Sequence, residues 1–430
     1  MGARRPDNQR VVVTGMGIVT PIGDTVETFW TSLVSGRSGI SRWKRPIDER
    51  CYARIGGDLS DFDLAAHLGR QTYAPELAKR CLSLMRASPL VPKLVAAAAL
   101  QAYHDAGLPG FRDAGRIGHV MAGHNVNAGY IVENVLTFHQ TDPDYIEPLF
   151  GLLCLDTDVL AASSELLSLR GPSFTVGGAC ASGNMAILAA LDLLRAGRAG
   201  AMLVSGAPIE LEPVSLHGWT MIDALSYQSF NDEPERASRP FDALREGFVP
   251  SECAGAVVIE PLNSARARGA RIHAELLGAA ATSDACRLTR PDLDGQVRAM
   301  ELALDDARVD ATEVDYVNAH ATSTRLGDAV EASAITRVLG ERARRIPVNA
   351  TKSMIGHCLS AAGVVEAIAT VLQLANGIVH PTINQEQSDP EIDLDVVPNR
   401  ARHAAVSLAL SNSFGFGGLN STVVLGRFDA

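Results

Sequence analysis

Aromatic residues make up only 5% of this 430-residue chain, which argues against a platform of rings for stacking nucleic-acid bases. Positive charge is also in short supply. Lys and Arg number 38 against 49 Asp and Glu, a net charge of −11, which argues against a general nucleic-acid or anionic-membrane binder. An acidic protein partner stays open to the chain if a local basic patch exists; Lys79, Arg80 and Arg86 are candidates, with solvated surface charge as the simpler account of each. No apolar run approaches the ~20 residues of a membrane span. The polar stretch 1–10 has no apolar signal-peptide core, so a cytoplasmic protein without membrane or nucleic-acid partners is expected. Seven cysteines stand at 51, 81, 154, 180, 253, 286 and 358 with no Cys-x-x-Cys pair, so neither a zinc site nor a disulfide framework is expected.

What the chain does have is 47% hydrophobic residues, 20% charged residues and abundant Ala and Gly, a composition suited to tightly packed helices and strands. Its length allows a large core and two domain-sized units. The run 10–15 (RVVVTG), followed by Gly17 and Pro21-Ile-Gly23, predicts a buried strand ending in a tight turn. Helix is predicted at 93–107 and 181–196, and strand at 117–122 and 201–206. The order repeats with strand 272–277, helix 296–307, strand 314–318, helix 361–376 and strand 405–411. Short buried strands alternating with helices predict an α/β architecture with largely parallel sheets. The repeated order suggests two halves, 1–260 and 261–430, joined near the polar stretch 260–269. Cys180 precedes one helix and His357 the equivalent one, so a pseudo-twofold axis would bring a thiol and an imidazole together.

Chemistry concentrates in four segments. Gly177-Gly-Ala-Cys-Ala-Ser-Gly-Asn184 places Cys180 at a predicted helix start, where the dipole stabilises a thiolate and free N–H groups can face an oxyanion. A small buried thiol in a Gly/Ala contact explains that segment equally well. His320 ends the strand-like run 314–320, where α/β folds place ligands; a capping histidine is the bland alternative. Lys352 and His357 lie in Asn349-Ala-Thr-Lys-Ser-Met-Ile-Gly-His357 ahead of an apolar helix, and a surface lysine at a helix entry is equally compatible. Finally, Ser411-Asn-Ser-Phe-Gly-Phe-Gly-Gly418 offers glycine backbone for close approach to a ligand and phenylalanines that can wall an apolar tunnel, or simply a structural loop.

Together with Ser238-Arg-Pro-Phe-Asp242 and Gly247-Phe248, the order and spacing of these motifs resemble the β-ketoacyl synthases of fatty-acid and type II polyketide synthesis over almost the whole chain. The resemblance implies the thiolase fold, with duplicated α/β halves in an αβαβα layering, and a homodimer or a heterodimer with a chain-length subunit. It implies decarboxylative Claisen condensation of malonyl-carrier protein with an acyl group on Cys180, an acyl carrier protein as partner, and no metal or organic cofactor. Carried over, His320 and His357 would stabilise the enolate, Lys352 would orient them, and the N–H groups of Cys180 and Phe416 would form an oxyanion hole. Thr322 and Thr324 would hold the pantetheine arm, with Phe414 and Phe416 at the acyl pocket. Departures are Gly178 where the family usually has Thr, Ala321 and Ser360 in place of glycines, and Ser251-Glu-Cys253 in place of Gly-Glu-Gly. They resemble a divergent branch found in polyketide clusters, and also the stand-alone decarboxylating ketosynthases of β-branching cassettes, which turn malonyl- into acetyl-carrier protein. Those usually carry serine at the nucleophile, so Cys180 favours condensation. A thiolase would need a second catalytic cysteine that no position after Cys358 supplies, a non-catalytic chain-length subunit would lack Cys180, and a cysteine hydrolase leaves the second histidine unexplained.

Overall fold

The computed structural model describes residues 5–7, 9–111, 114–287 and 290–429. Ten strands form one sheet: β1 (Val11–Val19), β2 (Ile117–Ala122), β3 (Ser173–Val176), β4 (Ala201–Gly206), β5 (Ala254–Pro261), β6 (Ala274–Ser283), β7 (Tyr316–Asn318), β8 (Val348–Asn349), β9 (Leu408–Gly415) and β10 (Leu419–Gly426). Their spatial order is β8-β7-β9-β10-β6-β1-β5-β4-β2-β3. Read outward from the centre, the first five strands run 1-5-4-2-3 and the last five 6-10-9-7-8, which is one topology used twice. The halves meet where β1 pairs with β6, Val11 opposite Leu276 and Val13 opposite Ala274.

The largely parallel sheet expected from the sequence is corrected by the pairing. Only the outer strands, β2 with β3 and β4 and β7 with β8 and β9, are parallel. The six central strands, β9-β10-β6-β1-β5-β4, pair antiparallel. Parallel neighbours need a long crossover, and β9 instead returns to β10 through residues 416–418, with Gly417 and Gly418 at φ +83° and +72°.

Among the described residues the seven longest helices are α1 (Leu90–Asp105), α2 (Ala128–Gln140), α3 (Asp156–Leu167), α4 (Ser182–Arg195), α5 (Leu293–Ala307), α6 (Arg325–Leu339) and α7 (Ala362–Asn376). Helices α4 and α7 touch each other and strands of both halves, so they form the middle layer of an αβαβα arrangement. On the outside, α1 packs on β1, β4 and β5, with α3 against α1; α5 packs on β6, β9 and β10, with α6 against α5. Their burial follows from sequence. In α4 the inward positions Ala186, Ile187, Ala190, Leu191 and Leu194 repeat at helical spacing. Helix α7 is buried all round from Ala362 to Leu374, as a helix between two sheet halves must be. The segment Leu359–Asn376 would pass by length and composition as membrane-spanning, but 89% of it is buried within the protein. The middle helices approach closely because they meet at glycine: a Cβ on Gly183 would lie 2.7 Å from Gly363 Cα.

Candidate active site

The strand ends and helix starts of both halves converge on one cavity of about 500 Å³. Cys180 sits on the turn between β3 and α4, two residues before the first helical residue, Ser182. Ala179 before it is held at φ +49°, a left-handed conformation that turns the chain sharply and presents the thiol. Gly415, at the end of β9, backs this turn; a Cβ there would come within 2.8 Å of Gly178 O and 3.1 Å of Cys180 N. A bare backbone is therefore what lets β9 approach the nucleophile turn.

The expectation of a dipole-lowered thiol is not met. Burial pushes the Cys180 thiol up to about 11, against the pull of the Lys352 charge and of the N–H groups of Phe416 and Cys180 itself, which face the sulfur. Cys180 is 8% exposed and packs in an apolar cluster with Leu211, Leu216, Phe248 and Leu359, and there desolvation outweighs the helix end.

Two imidazoles from the second half share the cavity with the thiol. The rings of His320 and His357 are 5.3 Å apart and nearly perpendicular, with Phe414 beside the first and Phe248 beside the second. Burial, the Lys352 charge and the neighbouring His357 hold His320 well below the usual histidine range; burial and Lys352 do the same to His357. Both are neutral at physiological pH. Lys352 does not line the cavity but stands one layer behind, its Nζ 3.3 Å from His320 Nδ1 and 2.5 Å from Glu366 Oε1. Burial pushes the Glu366 carboxyl up to about 7, opposed by Lys352. Neither ring nitrogen of His357 has a partner among the described residues, while its backbone N–H and C=O are tied to Val249 and Ser251. That leaves the ring free for a ligand on a fixed main chain.

Of the other residues expected from the sequence, Thr322, Thr324, Phe414 and Phe416 all line the cavity, and the two threonine hydroxyls lie 3.1 Å apart. Phe416 is 37% exposed in the β9–β10 turn. Lys79, Arg80 and Arg86 are exposed, but none lines the cavity, and Arg80 donates to Glu165 O. The basic groups in the cavity wall are Arg290 and Arg325, both exposed.

Two acidic residues that the motifs did not single out organise the site. The Glu331 carboxylate accepts from the backbone N–H groups of His320 (2.8 Å) and Ala321 (2.7 Å) and from Asn412 Nδ2 (3.1 Å), fixing the turn in which Ala321 stands at φ +22°. Glu366, on α7, holds Lys352. The signal for both was a charged residue on an otherwise buried helix face, which is rare without a partner. Gly178 also finds an explanation: a side chain there would run into Met185 Sδ, one turn into α4, so this chain fills with Met185 the space that the family's usual threonine would claim.

The β-ketoacyl synthase N-terminal domain model matches residues 8–265 and the corresponding C-terminal domain model matches residues 273–386. The chain belongs to the β-ketoacyl synthase family. It is 39% identical over 428 residues to the 3-oxoacyl-[acyl-carrier-protein] synthase 2 of Synechocystis sp., covering 98% of this chain and 99% of the relative. The Vibrio harveyi protein of the same name is 38% identical, with 97% and 98% covered. Among solved structures, a type II PKS acyl-carrier protein in complex with its ketosynthase bound to the hexaketide aligns with TM-score 0.85 and 31% identity, over 98% of this chain and 99% of that one. The ishigamide ketosynthase/chain length factor aligns equally well, at 0.85 and 32%, over 99% and 100%. The fold is the thiolase fold of these ketosynthases, and the chain is an acyltransferase of the condensing type.

Proposed function

We propose that this chain is a β-ketoacyl-acyl carrier protein synthase that joins an acyl group on Cys180 to the carbanion released from malonyl-carrier protein. The observation that carries the reading is the meeting of Cys180, two neutral histidines and two inward N–H groups in one cavity. Cys180 takes the acyl group from its carrier thioester, and the carrier thiol leaves with the cysteine's proton. Malonyl-carrier protein then loses carbon dioxide, and the electron pair of the broken C–C bond spreads onto the thioester oxygen as an enolate. His320 Nε2–H and the His357 ring hydrogen-bond that oxygen, donors placed in advance and worth about 10²–10³ in rate each. The carbanion attacks the Cys180 thioester. The tetrahedral oxyanion rests on the N–H groups of Cys180 and Phe416, and collapse frees the cysteine, which regains a proton. Lys352 orients His320. The pantetheine arm runs past Thr322 and Thr324, and no metal or organic cofactor enters this chemistry.

The two halves act as one unit, 1–260 bearing the nucleophile and 261–430 the histidines. Support for an acyl carrier protein as partner comes from the ketosynthase neighbour bound to one, with Arg290 and Arg325 at the mouth as counter-charges. A second copy of the chain would cover Val135, Leu136 and Phe138 on α2, with Leu149 and Leu152, all at least 46% exposed, and extend edge strand β3 at Phe174. Cytoplasmic placement suits these carrier-bound substrates.

The test is incubation with acyl- and malonyl-carrier protein, read by intact mass. Expected are an acyl adduct on Cys180, absent from Cys180→Ala, and a chain two carbons longer. Acetyl-carrier protein as sole product, with no adduct, would instead identify a decarboxylase.

A further inference from the structure

The cavity lining mixes apolar residues, among them Ile222, Ala224, Phe248 and Phe414, with the polar Asp284, Gln296 and Asn420. Most of the polar groups in this lining already have partners. Asp284 Oδ1 accepts from Asn420 Nδ2 at 2.6 Å, and the Glu331 carboxylate is used by the His320 turn. Gln296 is the exception. It lies in the first turn of α5, is 2% exposed, and its Oε1 has no hydrogen-bond partner among the described residues. Folded proteins seldom leave a buried amide oxygen unpaired. Nothing in the packing of α5 calls for an amide there either, since the next inward residues, Val297, Met300 and Ala303, are apolar.

Exposed Arg290, Arg325 and Leu326 mark the outer part of the lining, whereas Gln296 is almost fully enclosed. A saturated acyl chain in the cavity would leave the amide unpaired. A chain carrying a hydroxyl or keto oxygen would pair with it, and because a half-turn of the carboxamide exchanges its oxygen and nitrogen, Gln296 can serve either as acceptor to a hydroxyl or as donor to a ketone.

We infer that Gln296 is a specificity residue that selects oxygenated acyl chains over saturated ones for transfer to Cys180. This rests on Cys180 being the acyl-carrying nucleophile, as proposed above. Selection of this kind is strongest when a missing substrate oxygen leaves a buried polar group of the site unmatched.

The test compares two thioesters of N-acetylcysteamine, butyryl and 3-hydroxybutyryl, which differ by one oxygen and need no carrier protein. Each acylates Cys180: the new C–S bond forms at Sγ, the old one breaks, and N-acetylcysteamine leaves as the thiol with the cysteine's proton. Loading is timed by intact mass. The intact protein should load the hydroxy substrate roughly 3- to 10-fold faster, the worth of one neutral hydrogen bond. Gln296→Met, which keeps the length of the side chain, and Gln296→Leu should bring the ratio to about one, with butyryl loading within about twofold of the parent. A ratio of one in the parent, or a preference that survives both substitutions, overturns the inference. So does an equal loss for both substrates in variants of unchanged melting temperature, which would assign the amide to structure or to the thiol arm. Absence of any adduct from either thioester in the parent would instead strike at the Cys180 assignment.

Discussion

Nζ of Lys352 donates to Nδ1 of His320 across 3.3 Å while paired with Glu366. An ammonium has donors only, so Nδ1 must accept and the imidazole hydrogen is confined to Nε2. A lysine buried behind the site thus sets which face of the histidine is a donor.

Lys352→Met should slow malonyl decarboxylation by about 10²-fold or more, the scale of losing a placed donor. The single variant also strands Glu366 in the core, and removing one partner of a buried pair costs about 3–5 kcal/mol. Lys352→Met with Glu366→Gln should therefore recover most of the melting temperature but none of the rate. A double variant as fast as the parent would mean that the lysine does not govern His320.

With its thiol raised to about 11, Cys180 should react slowly with iodoacetamide at pH 7. The rate should climb close to tenfold per pH unit up to pH 10. A plateau below pH 8, followed by mass spectrometry of the labelled cysteine, would reveal a thiolate already formed at rest.

His380 is fully buried between Thr351 and Pro381 O, and burial lowers it from the ordinary 6.5 to about 4. The unfolded chain takes up this proton near pH 6.5 and the folded chain only near 4, so the stability contributed by the neutral ring is present above 6.5 and lost as pH falls toward 4. Asp328, Glu252 and Glu366, raised to about 7 by burial, act in the opposite sense and lose stability as pH rises. A difference measurement separates the two. The stability deficit of His380→Gln at pH 7.5 should shrink by up to about 3 kcal/mol by pH 4 in denaturant titrations; a deficit independent of pH would refute the assignment.

Restoring the family's usual residue should harm this chain. Gly178→Thr drives a side chain into Met185 and should cost about 1–3 kcal/mol. Met185→Ala in the same chain should return much of it, a coupling that a double-mutant cycle reads directly. Additive losses would show that the two positions do not compete for space.

The exposed apolar surface of α2 should bind a second copy. Leu136→Asp with Phe138→Lys should convert a two-chain particle into one chain by light scattering, and a parent that is already a single chain would refute that face as an interface.

Local signals in the sequence carried far. The strands 117–122 and 201–206 have the predicted bounds, and the helices around 182–195 and 362–376 lie within a residue of them, because each is a mostly apolar run. The motifs also led to the residues that share the cavity. Pairing direction was not legible, since Val13 meets Ala274 only in the folded chain and no local pattern names its neighbour. Strand β5 was not predicted; its run 254–261 lacks alternation because both its faces are covered. Glu331 and Glu366 were not singled out because each acts through a partner, the His320 turn and Lys352, and its one local signal is a charge on a buried helix face. Cys180 was read for its helix end, whereas its chemistry at rest follows from the apolar cluster around it.

At the crossing of α4 and α7, Gly183 and Gly363 put backbone against backbone. One helix follows Cys180 and the other follows His357, so their separation acts as a gauge block for the gap in which a carbon–carbon bond must close. Every wall of the cavity can be recut with larger or smaller side chains to suit a different acyl group. The gauge itself has no side chain to trim, and a single methyl at either glycine would throw the whole instrument out of calibration.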